Sequence, residues 1–237
     1  MNQAVIKYLS VIGTATWQTF VMVLFSTLFS VIIGFPLGVY LCTSDPANGL
    51  HPQKAVNQVL SIIINILRAI PFVILVILLF PFTRLVVRTA IGTKASIVPL
   101  TIAAAPFVAR VIESSLKEVD PGVIQAARAM GSTNFQIIFK VLIPEAMPSI
   151  VNGITLTVIN LIGYSAMAGT VGGGGLGDVA IRYGYQRYRV EYMLGSVAII
   201  LILVETLRGF LSVPHSCDDP TRISTRSHNF KPASTSF

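Results

Sequence analysis

Charge is what this sequence has least of. Only 11% of its 237 residues are Asp, Glu, Lys or Arg, against about a quarter in soluble domains. Residues 8–44 and 146–177 carry none at all, and each gap exceeds the roughly 20 apolar residues that cross ~30 Å of hydrocarbon. With 53% hydrophobic residues and a mean hydropathy of +0.75, a single soluble domain is excluded and the chain belongs in a membrane. Cysteine is scarce too: Cys42 and Cys217 stand far apart and match neither a metal spacing nor a CxxC redox motif. The three histidines, His51, His215 and His228, fall in predicted loop or tail, and Gly163-Tyr-Ser-Ala-Met167 misses the GxSxG elbow at its last position, so a serine hydrolase is not expected. No GxxxxGK followed by Ser or Thr occurs, so ATP is not bound through a P-loop. Residues 172–177 satisfy GxGxxG, but no βαβ unit surrounds them. Their glycines are read as turning or packing positions. No catalytic residue, metal site or cofactor is expected in this chain.

What remains is hydrophobic span. Five can be drawn, at about 17–41, 56–80, 95–112, 149–170 and 192–213, continuously apolar rather than alternating, which fits helices and not a barrel. The fold class is therefore an all-α membrane protein with five transmembrane helices. A cleavable signal peptide is not expected, because the first apolar region outruns the ~7 to 15 residues of an h-region. Arg68 splits the second span, and its burial in acyl chains would cost about 2.5 to 3.5 kcal/mol, so it should face protein, water or an interface. Glu205 and Arg208, at i and i+3, are placed to pair on the fifth. Small residues crowd the third span (Ala103 to Ala105, Ala109) and the fourth (Gly163, Ser165, Ala166, Ala168, Gly169), which favours close helix packing. Pro36, Pro71, Pro99 and Pro106 lie inside spans, where each favours a kink or break.

The formal charge of +7 would suggest nucleic acid in a soluble chain, but the 17 Lys and Arg are scattered among the spans with no basic run. Membrane-flanking loops and lipid explain them, and no nucleic-acid partner is expected. With the amino terminus outside, the inner segments hold nine Lys and Arg and the outer ones seven, Arg68 set aside. That margin leaves orientation open. Residues 214–237, with eight Ser or Thr and three Pro, read as a disordered tail.

The longest hydrophilic stretch, 113–148, carries helix punctuation. Asp120 then Pro121 is an N-cap followed by an N1 proline, and Gly131 supplies a C-terminal stop. Thr133 with Gln136 forms a capping box for a second short helix, whose apolar stripe of Phe135, Ile138 and Leu142 runs until Pro144. Such a pair of helices suits either a bilayer surface or a soluble partner.

The string Gln125-Ala-Ala-Arg-Ala-Met-Gly131, followed after eleven residues by Ile143-Pro144, resembles the EAA motif of ABC importer permeases. The resemblance covers about four fifths of the chain. Arg68-Ala-Ile-Pro-Phe72, Pro81-Phe-Thr-Arg84, Ile97-Val-Pro-Leu-Thr101, Ala104-Ala-Pro-Phe-Val-Ala-Arg110 and Gly163-Tyr-Ser-Ala-Met167 with Gly174-Gly-Leu-Gly177 look like the methionine-type permease in particular. It implies a type I importer bundle over 14–208 in a bacterial inner membrane, with the amino terminus outside and the carboxyl terminus cytoplasmic. It further implies a second copy of the chain, two ATP-binding ABC subunits that hold ATP and Mg, and an extracytoplasmic methionine-binding protein. Gln125, Ala126, Ala127, Gly131, Ile143 and Pro144 would touch the ATPase. Gln125 stands where Glu is commoner. The likeness fades after about Val204, where the Ser-rich end replaces the family's short basic tail through divergence or an altered reading frame.

Tyr164, Ser165 and Met167 put hydroxyls and a flexible thioether in a small-residue span and are expected, with Arg68, to line a translocation path. The leading function is import of methionine, D-methionine or a related amino acid. Two other readings are a self-sufficient secondary amino-acid transporter, which needs intramembrane acids where only Glu113 and Glu205 approach a span, and a non-transporting membrane scaffold.

Overall fold

A computed structural model describes residues 3–46 and 49–211. The expected tail at 214–237 and the last two residues of the fifth expected span lie outside them. Every regular element among the described residues is helical, as continuous apolar runs in lipid require.

Helix α1 spans Gln3–Thr43. At about 1.5 Å per residue it is roughly 60 Å long, twice what the hydrocarbon needs. Helix α2, Lys54–Ala69, folds back from it. The Asn57 amide holds that turn, donating to the Leu41 carbonyl at 2.8 Å and the Ser44 hydroxyl at 2.9 Å.

The second span is not one helix. It breaks at Ile70-Pro71, and helix α3, Phe72–Leu78, leaves at 102° to α2. The cause is local: a residue before proline is pushed out of the helical region, and Ile70 is extended, at φ −74° and ψ 125°. Helix α4, Phe80–Val87, follows and ends where Arg88 turns left-handed at φ 63°. Pro36, Pro99 and Pro106 lie within continuous helices and do not break them as Pro71 does.

Helix α5, Thr93–Lys117, is the centre of the bundle and packs most extensively on α1. The reason is a pair of glycines one turn apart. A Cβ on Gly34 would stand 2.7 Å from the Ala105 carbonyl, and one on Gly38 2.6 Å from that of Ala109. The two backbones meet because all four residues are Gly or Ala.

Two short helices, α6 (Pro121–Ala129) and α7 (Asn134–Ile137), follow α5. A wide π turn at Ile138–Leu142 then joins α7 directly to α8, Ile143–Thr170. The second loop helix therefore does not stop at Pro144 as expected; 134–170 is one apolar helical run. The π turn answers the proline. Ile143 N–H bonds the Ile138 carbonyl, five residues back, which widens the turn just where the Pro144 ring would strike the carbonyl four residues before it.

Helix α9, Gly175–Val179, is entered through the glycine run and leads by a second π turn, Ala180–Tyr185, to α10, Val190–Leu211. Gly172, Gly174 and Gly175 take φ of +83°, +79° and +79°, so these glycines turn the chain, and α1 side chains hold the turn. Gly175 N–H donates to Gln18 Oε1 and Leu176 N–H to Thr19 Oγ1, each at 2.9 Å. Among the described residues four helices are long and apolar enough to cross a bilayer, five if the bent α2–α3 pair counts as one.

Candidate functional site

The loop end of the bundle is organised by one buried acid. Glu113 is 7% exposed. Arg110 meets it at 2.6 Å and Lys117 at 2.8 Å, and Lys117 also meets Asp45 at 2.6 Å. Arg110 reaches further, donating to Asn65 Oδ1 at 3.1 Å. The network thereby ties α5 to α2 and to the α1–α2 turn. Its acid is engaged on both oxygens.

Just beyond this network, the sequence punctuation works as read. Asp120 Oδ1 accepts from Gly122 N–H at 2.7 Å, capping α6. Gly131, at φ +80°, closes it, with Ser132 N–H donating to the Ala127 carbonyl at 3.1 Å. Thr133 and Gln136 make the reciprocal capping box. Of the expected contact residues, Ala127 is buried and seats α6, Ile143 is half-buried, and Gln125, Ala126, Gly131 and Pro144 are exposed.

The apolar stripe is split. Ile137 and Leu142 face inward and Ile138 is half-buried, whereas Phe135 does not join them. Ile137 and Leu142 stand five residues apart, the spacing of the π turn between them. Phe135 instead pairs outward with Phe139, ring centroids 4.4 Å apart, and Met130 beside Gly131 is 79% exposed. Met130 and Phe139 were missed by sequence reading. Between α6 and the ends of α1 and α5 lies a cleft of about 380 Å³, lined among others by Asp45, Lys117, Gln125 and Arg128.

The expected path residues divide into three groups. Arg68 and Tyr164 share a cleft at the α2–α3 break, where the Arg68 guanidinium sits 5.6 Å above the Phe107 ring. Phe72 stacks on Tyr164 at 4.8 Å and 12°. Met167 lies on an exposed stripe of α8 with Leu156, Asn160, Gly163 and Thr170, the 3- and 4-residue spacing of one helix face. Ser165 faces the interior, and its hydroxyl donates to the Ile162 carbonyl at 2.7 Å. On the fifth span, Glu205 and Arg208 are both exposed, and among the described residues they do not pair with each other.

Helices long enough to cross a membrane, one of them broken, with a two-helix loop projecting from one end, define the bundle of an importer permease. Residues 34–208 match the family described as binding-protein-dependent transport system inner membrane component, and the chain belongs to that family. It is a transport subunit and not itself an enzyme, the ATPase being a separate subunit. The chain is 51% identical over 196 residues to the probable D-methionine transport system permease protein MetI of Vibrio cholerae, covering 83% of this chain and 87% of that protein. Its counterpart in Pasteurella multocida is 48% identical over 196 residues, with 83% and 89% covered. A solved structure of the MetNI methionine ABC transporter in inward-facing conformations superposes with a TM-score of 0.84 at 43% identity, covering 89% of this chain and 96% of that one.

Proposed function

We propose that this chain is the membrane-spanning half of a binding-protein-dependent importer for methionine, its D-enantiomer included, paired with a second copy of itself and driven by two separate ATP-binding subunits. The observation that carries the reading is the projecting α6–α7 loop: α6 capped at Asp120 and closed at Gly131, α7 opened by the Thr133–Gln136 box, the whole seated by Ala127 and presenting Met130, Phe135 and Phe139 outward. In the proposed orientation the amino terminus is outside and this loop is cytoplasmic, resting in a cleft of the ATPase. ATP and Mg belong to that partner. Closure of the two ATPases would move the loops and, through the Glu113 network, the α2 helices that carry Arg68. Substrate would be delivered to the opposite face by an external methionine-binding protein, and Met167 and its stripe on α8 would line the path between the two copies.

Names and fold likeness to methionine permeases support the substrate; the loop geometry supports the partner. The test is methionine uptake into proteoliposomes holding this chain with a methionine-type ATPase, ATP inside and the binding protein outside. Uptake that needs both ATP and binding protein is expected. Uptake without any ATPase would overturn the reading.

A further inference from the structure

Arg68 carries the one full charge within the broken second span, and among the described residues neither a carboxylate nor a hydrogen-bond acceptor comes to it; its partner is the face of Phe107 at 5.6 Å. Arg68 is exposed in the last turn of α2, and a full charge inside an apolar span is ordinarily paired. Here a cleft of about 200 Å³ opens beside the guanidinium instead, walled by Phe72, Phe107 and Tyr164 and left open by the small Ala103. At ~30 Å³ for each water of liquid volume that is room for about six or seven waters, the scale of a free amino acid rather than a peptide. Tyr164 is held flat against Phe72, and its hydroxyl has no hydrogen-bond partner among the described residues.

These groups complement one kind of molecule. A guanidinium fork takes a carboxylate in two parallel hydrogen bonds, aromatic faces and edges favour an alkyl or thioether chain, and a free phenolic oxygen can accept from an ammonium. We propose that the cleft at the α2–α3 break is a binding subsite within the permease for a zwitterionic amino acid with an apolar side chain, Arg68 receiving its carboxylate and the Phe72–Phe107–Tyr164 wall its side chain. Because the cleft sits at the bend, its shape depends on the angle between α2 and α3, so loading and release would follow bundle movement. The proposal rests on the transport reading above.

The experiment is equilibrium binding of radiolabelled methionine to the complete permease–ATPase complex in lipid nanodiscs, without nucleotide or binding protein, with methioninamide as the analogue lacking a carboxylate. Wild type is expected to bind methionine tenfold or more tighter than the amide, the usual worth of a charge-assisted pair being about tenfold to a hundredfold. Arg68→Gln should lower methionine to the level of the amide while leaving amide affinity unchanged, and Arg68→Lys should restore part of the difference. If Arg68→Gln fails to co-purify with the ATPase, Arg68→Lys, which keeps the charge and loses the fork, stands in and should narrow the gap between methionine and the amide. No saturable methionine binding to wild type, equal affinity for the two ligands, or a preference for methionine that survives Arg68→Gln would each overturn the subsite. If wild-type uptake persists in proteoliposomes under any of those results, the importer reading stands and the subsite alone falls; absent uptake removes both.

Discussion

At the scale of single residues, the closest approach in the molecule depends on what is missing from two side chains. Gly34 and Gly38 let α1 lie against the Ala105 and Ala109 backbone of α5, and a larger side chain at either site would meet a carbonyl oxygen that cannot swing aside. Gly34→Leu is expected to cost at least about 3 kcal/mol, the upper part of the usual overpacking range. A lowered melting temperature of the purified complex checks it, while Gly13→Leu, where an added Cβ meets nothing within 4 Å, should leave the melt unchanged. Half of this contact was legible beforehand. The alanines of α5 stood out as a small-residue cluster, but two glycines spaced by three residues inside a charge-free run do not announce which neighbour they face. Glu113 was visible as an acid near a span, yet its role as the shared partner of Arg110 and Lys117 needed the turn of α5 and the arrival of Asp45 from another element.

At the scale of elements, the loop was the most legible part, because its signals are local. Asp120, Pro121, Gly131, Thr133 and Gln136 each act within a few residues of themselves, and the hydrogen bonds they foretell are present. The error at Pro144 has the same origin: a proline read locally ends a helix, but a π turn upstream lets this one pass. Across that turn Phe135 and Phe139 face out while Ile137 and Leu142, five residues apart, stay in. Exposed aromatic and thioether groups around a rigid helix end are the usual anchors of a docking site. Replacing Met130 with Lys and Phe135 with Ser is expected to weaken ATPase association by about 2 kcal/mol or more, roughly thirtyfold. Co-purification and a titration of ATPase onto permease in nanodiscs check this. A double variant that binds as tightly as wild type would remove this face from the interface.

At the scale of the whole molecule, four to five apolar helices among the described residues agree with the hydropathy, and Pro71 marked a break in the second span, whereas the 102° angle taken there was not readable from the sequence. Orientation was not legible, since nine basic residues against seven hardly bias insertion. What the single chain leaves uncovered points to a second copy. On α8, Leu156, Asn160, Gly163, Met167 and Thr170 form one face left exposed by the described residues, and a Cβ at Gly163 would meet nothing within 4 Å. An Asn and a Gly at membrane depth are poor company for lipid and good company for another helix or a watery path. If two copies face each other across this stripe, Gly163 lies near the axis, where a residue meets its own copy. In a chain with Cys42 and Cys217 changed to Ser, Gly163→Cys is therefore expected to form a covalent dimer under mild oxidation, since a disulfide needs Cα atoms within about 7 Å. Leu161→Cys, on the buried side of the same helix at 0% exposure, should stay monomeric on a denaturing gel. Cross-linking that is absent at Gly163 and Met167 alike, in a complex that still transports, would place the path and the pairing face elsewhere on the bundle.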